Sequence, residues 1–218
     1  MATRRRSPPG SKQVRPWRQE RSAATVQRIV QATKKLLSKR DFDSLSVDEI
    51  VQASHTSKGA FYFRFATKAR LLRHLAAITY EDLLRSSNTF FQKEKSRNLQ
   101  DLIGAFVDHV AGIYTRNRNL LRAFLNEARP GGDTVVVALA RNGAAQSAQQ
   151  LIDLLKSKRR EINHPDPDLA AVIAAMVVGI LLRHAFLYPE QRSSTAAVPR
   201  DVLVNEIKQV VVKYLTRR

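Results

Sequence analysis

The sequence predicts an all-α protein. Three observations carry that expectation: apolar residues recur at spacings of three and four in nearly every segment, no period-2 stretch of useful length appears, and cap residues precede the apolar runs. With 218 residues, 44% of them hydrophobic, the chain can bury a sizeable core as one large domain or two small ones. The predicted organisation is a flexible basic arm over 1–21, a three-helix unit over 22–72, and a helical domain over 73–218 joined to it by a long helix.

The elements follow in order. Residues 1–21 hold seven basic residues and one acidic one, with Pro8, Pro9, Gly10 and Pro16 among them, a composition too polar and broken to join a core. From Ser22 the pattern turns helical, with Val26, Ile29, Val30, Thr33, Leu36 and Leu37 on one face. Asp41 to Ser44 break that helix, and Ser46 with Glu49 forms a capping box opening a second one. Ser57 caps a third helix through Arg64, and Thr67 caps a fourth that is long. Asn98 with Asp101 opens a further helix, which Asn117 to Asn119 interrupt and Pro130-Gly131-Gly132 ends. Another reaches Lys156. Asp166-Pro167 is an N-cap followed by proline at the first helical position, and Pro199 opens the last helix.

Composition excludes several functions. Without cysteine there is no disulfide scaffold, thiolate catalysis or zinc finger. No GxxxxGK[ST], GxGxxG or GxSxG occurs, and the five histidines lack HxxxH or HExxH spacing, so neither an enzyme, a cofactor nor a metal site is expected. The arginines at 4–6 are followed by Ser-Pro-Pro-Gly where a signal peptide needs an apolar stretch. The longest apolar run, Leu169 to Leu182, is 14 residues against the roughly 20 of a membrane span, which predicts a buried helix and no membrane partner. What remains is charge: 37 Lys+Arg against 19 Asp+Glu give +18, which points to an anionic polymer, nucleic acid first.

Two short helices joined by a tight turn behind a longer amphipathic helix form the helix-turn-helix arrangement, which sets its second helix in the DNA major groove. The residues Ile29-x-x-Ala32-x-x-x-Leu36-Leu37, Phe42, Ser46-Val47-x-x-Ile50 and Ser57-Lys58-Gly59-Ala60-Phe61-Tyr62-x-x-Phe65-x-x-Lys68-x-x-Leu71-Leu72 resemble the tetracycline-repressor (TetR) family over about residues 25–72. His55 and Thr56 stand where that family usually has Gly and Val, Asp41 where it has Gly, and Arg64 where it commonly has His; His and Asp tolerate left-handed backbone, so both turns are expected to survive.

Lys58 and Gly59 fall on the first turn of the third helix, where free N–H groups favour phosphate and glycine permits close approach, and Ala60 can meet a thymine methyl. The resemblance implies phosphate contacts from Tyr62, Arg64 and Lys68, and from Ser46, Ser57 and Thr67 while they cap. It further implies a homodimer through helices 166–188 and 199–216, a palindromic double-stranded operator, a cytoplasmic, nucleoid-associated protein, and an unknown small amphipathic or aromatic effector that releases a repressor. Candidate pocket residues are Phe106, His109, Val110, Ile113, Leu121, Phe124, Met176, Ile180 and His184. The alternative from charge alone is a sequence-independent architectural nucleic-acid-binding protein.

Overall fold

The computed structural model describes residues 16–95, 97–188 and 198–217; residues 1–15 of the expected arm and the expected loop at 193–197 lie outside the described residues. The described residues form eight α-helices: α1 Pro16–Leu37, α2 Val47–Ala53, α3 Lys58–Phe65, α4 Lys68–Glu94, α5 Leu99–Asn126, α6 Thr134–Ser157, α7 Pro167–Leu187 and α8 Arg200–Thr216. Helix α1 starts six residues ahead of the periodicity at Ser22, because Pro16 supplies a φ already suited to a first helical turn. Residues 16–21 are therefore helical backbone rather than arm.

Caps set the short elements as the sequence predicts. The Ser46 N–H donates to Glu49 Oε2 at 2.8 Å while Ser46 Oγ accepts from the Glu49 N–H at 3.2 Å, closing the box that starts α2. Ser57 accepts from the Ala60 N–H and Thr67 from the Arg70 N–H, both at 3.1 Å. The α2–α3 turn keeps its left-handed residue with His55 at φ 51°, and Ala66, which ends α3, has φ 54°. Asp41 differs from the expectation. Its φ of −71° and ψ of 149° are extended, so no left-handed residue is needed there; the turn closes through the Ser44 N–H bonding to the Asp41 carbonyl. The interruption expected at Asn117 to Asn119 is present as a kink in α5: Asn117 leaves helical geometry (φ −118°, ψ 19°), and its side-chain amide donates to the Ile113 carbonyl.

Two apolar clusters hold the molecule. The first packs Ile29, Leu37, Phe42, Ile50, Phe61 and Phe65 around Leu71, Leu72 and Leu75 of α4. It does not stop at residue 72, since Leu120, Leu121 and Phe124 of α5, Val136 of α6 and Leu187 of α7 belong to it. The second joins Phe91 of α4 to α5, α6, α7 and α8. Polar contacts tie the same junction: Asn119 Nδ2 donates to the Leu37 carbonyl at 2.9 Å, and Arg73 of α4 pairs with Asp133 at 2.7 Å. Asp133 is itself fixed, because its carboxylate accepts the Val135 and Val136 N–H groups and caps α6.

Helix α7 turns Ala170, Ala171, Ala174, Ala175 and Ala185 inward against α5, α6 and α8. Its outer stripe keeps Leu169, Met176, Ile180 and Leu181 exposed. With 21 residues it is long and apolar enough to cross a membrane by length and composition, yet one face of it is spent on packing inside the protomer.

Hydrogen bonds from Ser46, the backbone one foremost, together with Arg40, pull the Glu49 carboxyl from its ordinary 4.5 down to about 2. A carboxyl depressed on folding stabilises fully above its unfolded pKa and loses that contribution as pH falls toward the folded one. Glu49→Gln is therefore expected to lower stability at pH 7 and to flatten the loss between pH 4.5 and 2, read from urea unfolding at a series of pH values.

Candidate nucleic-acid interface

The third helix of the N-terminal unit lays its apolar side on the core and turns the rest outward. Phe61 is fully buried and Phe65 nearly so, which fixes the rotation of α3. That rotation leaves Lys58 and Gly59 exposed, Ala60 and Arg64 half-buried, and Tyr62 half exposed with its ring edge-on to Phe61. The three cap residues Ser46, Ser57 and Thr67 open α2, α3 and α4 and are all exposed. Eight of the nine expected DNA-contact residues are thus accessible around α3 with their side chains lightly engaged or serving as caps.

Lys68 is the one otherwise employed. Its Nζ donates to the Asp43 carbonyl at 3.1 Å and lies 4.7 Å from the Phe42 ring centre, and burial pushes its pKa down. It pins the Phe42–Ser44 turn to the start of α4. Lys58 is held differently, in an exposed ion pair with Asp48 at 2.7 Å whose hydrogen bond raises the Lys58 pKa. Exposed pairs of this kind are weakly held and screened by solvent, so a phosphate can take the ammonium over.

Gly59 has no structural reason to be glycine. Its φ is ordinary, and a Cβ built there meets only Ser57 Oγ at 3.9 Å. Glycine inside a helix costs about 1 kcal/mol against alanine, so its use here fits a surface that another backbone or a base must approach closely.

Sequence reasoning missed Phe63. It is 80% exposed in the middle of α3, with the Arg64 guanidinium 4.9 Å from its ring centre. The signal was available: with Phe61 and Phe65 on the core face, the side chain between them must point away from it. A large apolar ring presented beside a cation suits the sugar and methyl edges of a groove.

The nine pocket candidates are spread over both apolar clusters and the outer face of α7. Phe106 lies in the second cluster, Leu121 and Phe124 in the first, with Val110 and Ile113 packed against one each. Met176, Ile180 and His184, expected as inward liners, are exposed on the outer stripe of α7, because close packing there uses the alanines. His109 stacks on Phe90 at 4.4 Å with its Nε2 buried and unpartnered, and burial lowers its pKa. Two surface depressions, of about 600 Å³ between α5 and α8 and about 370 Å³ beside α1, are lined by none of the nine.

A helix-turn-helix unit whose recognition helix is exposed, basic and locked to a helical C-terminal domain defines a DNA-binding regulator. Residues 29–75 match the model of the bacterial regulatory proteins of the tetR family, and residues 98–215 match the tetracyclin repressor-like C-terminal domain. The chain belongs to the TetR family of transcriptional regulators. Solved structures share the fold: a TetR-family regulator from Agrobacterium tumefaciens (15% identity, TM-score 0.65, 89% of this chain and 99% of that one) and a TetR regulator from Chloroflexus aurantiacus (16%, 0.66, 91% and 98%). NalD of Pseudomonas aeruginosa, the secondary repressor of the MexAB-OprM multidrug efflux pump, is similar at 18% identity and TM-score 0.58 over 91% of this chain and 98% of that one. No curated protein matches the chain in sequence.

Gly59→Ala is expected to fold with equal or greater stability, by up to about 1 kcal/mol, while DNA affinity falls roughly tenfold, or about 1.4 kcal/mol. Thermal unfolding and DNA titration of the same preparation separate the two effects, and a variant that binds DNA unaltered removes Gly59 from the interface.

Proposed function

We propose that this regulator represses by binding a palindromic double-stranded operator as a homodimer, with one α3 in each of two major-groove segments about 34 Å apart. The observation that carries the reading is the exposed α3 surface of Lys58, Gly59, Ala60, Tyr62 and Phe63, where a glycine is kept at a site that tolerates a side chain. Ser46, Ser57, Arg64, Thr67 and the partly engaged Lys68 surround that surface as phosphate contacts. Residues 22–72 act as the DNA-binding unit and 73–218 as the dimerisation and effector unit, in a cytoplasmic, nucleoid-associated protein.

The dimer forms through α7 and α8. Support comes from the exposed Leu169, Met176, Ile180 and Leu181 on α7 and the exposed Val202 and Val210 on α8, an apolar area of a kind that soluble surfaces rarely leave open. Release by a small aromatic or amphipathic effector is the regulated step. Its support is the Phe90–His109 stack with its unpaired buried nitrogen, a polar anchor inside an aromatic seam, and the path from α5 through Asn119 to α1. An effector inserted there would shift the population toward conformers with respaced α3 helices.

Selection from a random DNA library with the full chain tests the reading. The expected product is a two-fold symmetric site preferred at least ~10³-fold over random sequence, whereas equal displacement by any DNA is the result of the architectural alternative. For the dimer, Gly179 has open space around its Cα, so Gly179→Arg spares the protomer. Sedimentation of this variant should give monomers at micromolar concentration where the unaltered chain gives dimers; a monomeric unaltered chain overturns the interface.

A further inference from the structure

Between α1 and the α2–α3 turn lies a depression of about 370 Å³ lined by Arg28, Gln31, Ala32 and Lys35 of α1, by Ala53 at the end of α2, and by Ser54 and His55 of the turn. Among the described residues, its lining holds two permanent cations and no carboxylate. Arg28, Gln31 and Lys35 follow one another at three and four residues, so they form a single exposed stripe along two turns of α1. Asp48 of α2 is already paired with Lys58.

The guanidinium of Arg28 is oriented but weakly held. It donates to the His55 carbonyl at 3.4 Å and to Thr25 Oγ1 at 3.5 Å, both long for hydrogen bonds, and it stays exposed. The left-handed His55, at φ 51°, turns that carbonyl toward α1. Two residues further on the chain enters Ser57 and Lys58, so the cationic stripe and the start of α3 are joined by one turn. An arginine presented this way can exchange two marginal acceptors for a phosphate, which it binds through two parallel N–H donors.

We propose that Arg28 and Lys35, aimed by the His55 turn, form a second phosphate-binding surface that grips the DNA backbone next to the groove occupied by α3. The proposal rests on the DNA-binding reading of α3 and extends its footprint onto α1. It adds affinity without adding sequence information, since phosphates are the same at every step.

The test measures log K against log salt for the full chain, Arg28→Gln and Lys35→Gln on two probes: the duplex recovered by selection and a duplex of random sequence. Glutamine removes the charge and keeps a polar side chain. Each substitution removes two contacts per dimer, so the slope should shallow by about 1.8, at 0.9 per phosphate, and affinity should fall equally on both probes. Arg28→Lys, which keeps the charge, should retain the slope. Unaltered slopes for both glutamine variants, with melting temperatures unchanged, overturn the proposal. Failure of the α3 reading looks different: Gly59→Ala and Tyr62→Ala would then leave discrimination between the two probes untouched, while the slopes still decide the α1 surface.

Discussion

Helix α4 belongs to two cores at once, and the orientation of α3 depends on that sharing. Leu71, Leu72 and Leu75 sit among the side chains of the N-terminal unit, while Phe91, near the other end of the helix, sits among those of the C-terminal helices. The helix is thus anchored toward both ends by buried apolar groups. Its first turn begins at the Thr67 cap, one residue beyond the end of α3 at Ala66. Arg73–Asp133 and Asn119–Leu37 stiffen the near end, and Leu121 and Phe124 press α5 against the same cluster. The N-terminal unit is therefore not a separate bead on a linker. Its core is completed by residues more than forty positions beyond the apparent boundary at 72.

The DNA-binding half was legible because its determinants are local. Ser46-x-x-Glu49, Ser57 and Thr67 each satisfy backbone N–H groups within three residues, and spacing alone assigns Phe61 and Phe65 to the core. Where long-range packing decides, the sequence was silent or misleading. A helix apolar on all sides, such as α7, carries no period telling which side is inside; close helix packing chose alanine, and Met176 and Ile180 went outward. The early start of α1 was hidden by arginines, which are good helix formers but read as arm when judged by charge. Asp41 shows the opposite case, a presumed strained turn that an extended residue closes without strain.

The two lysines of the candidate interface, Lys58 and Lys68, are held in different ways. Lys68 contributes to the fold through Asp43 and Phe42, and its desolvated ammonium is costly to redirect. Lys58 is poised by Asp48 in water, where its attachment is weak. Two residues of the same type on neighbouring helices thus differ in availability because burial differs, a distinction that residue type and motif position do not carry.

The inward alanines of α7 also bear on how the protein is made. Since Val178, Leu182, Phe186 and the alanines already fill the inner face, a single chain can finish folding with Leu169, Met176, Ile180 and Leu181 still in water. Each newly synthesised copy then carries an adhesive strip until something covers it. High rates of synthesis would bring such strips together before ordered pairing, and the yield of native material would depend on how fast the ribosomes deliver chains as much as on how stable each chain is.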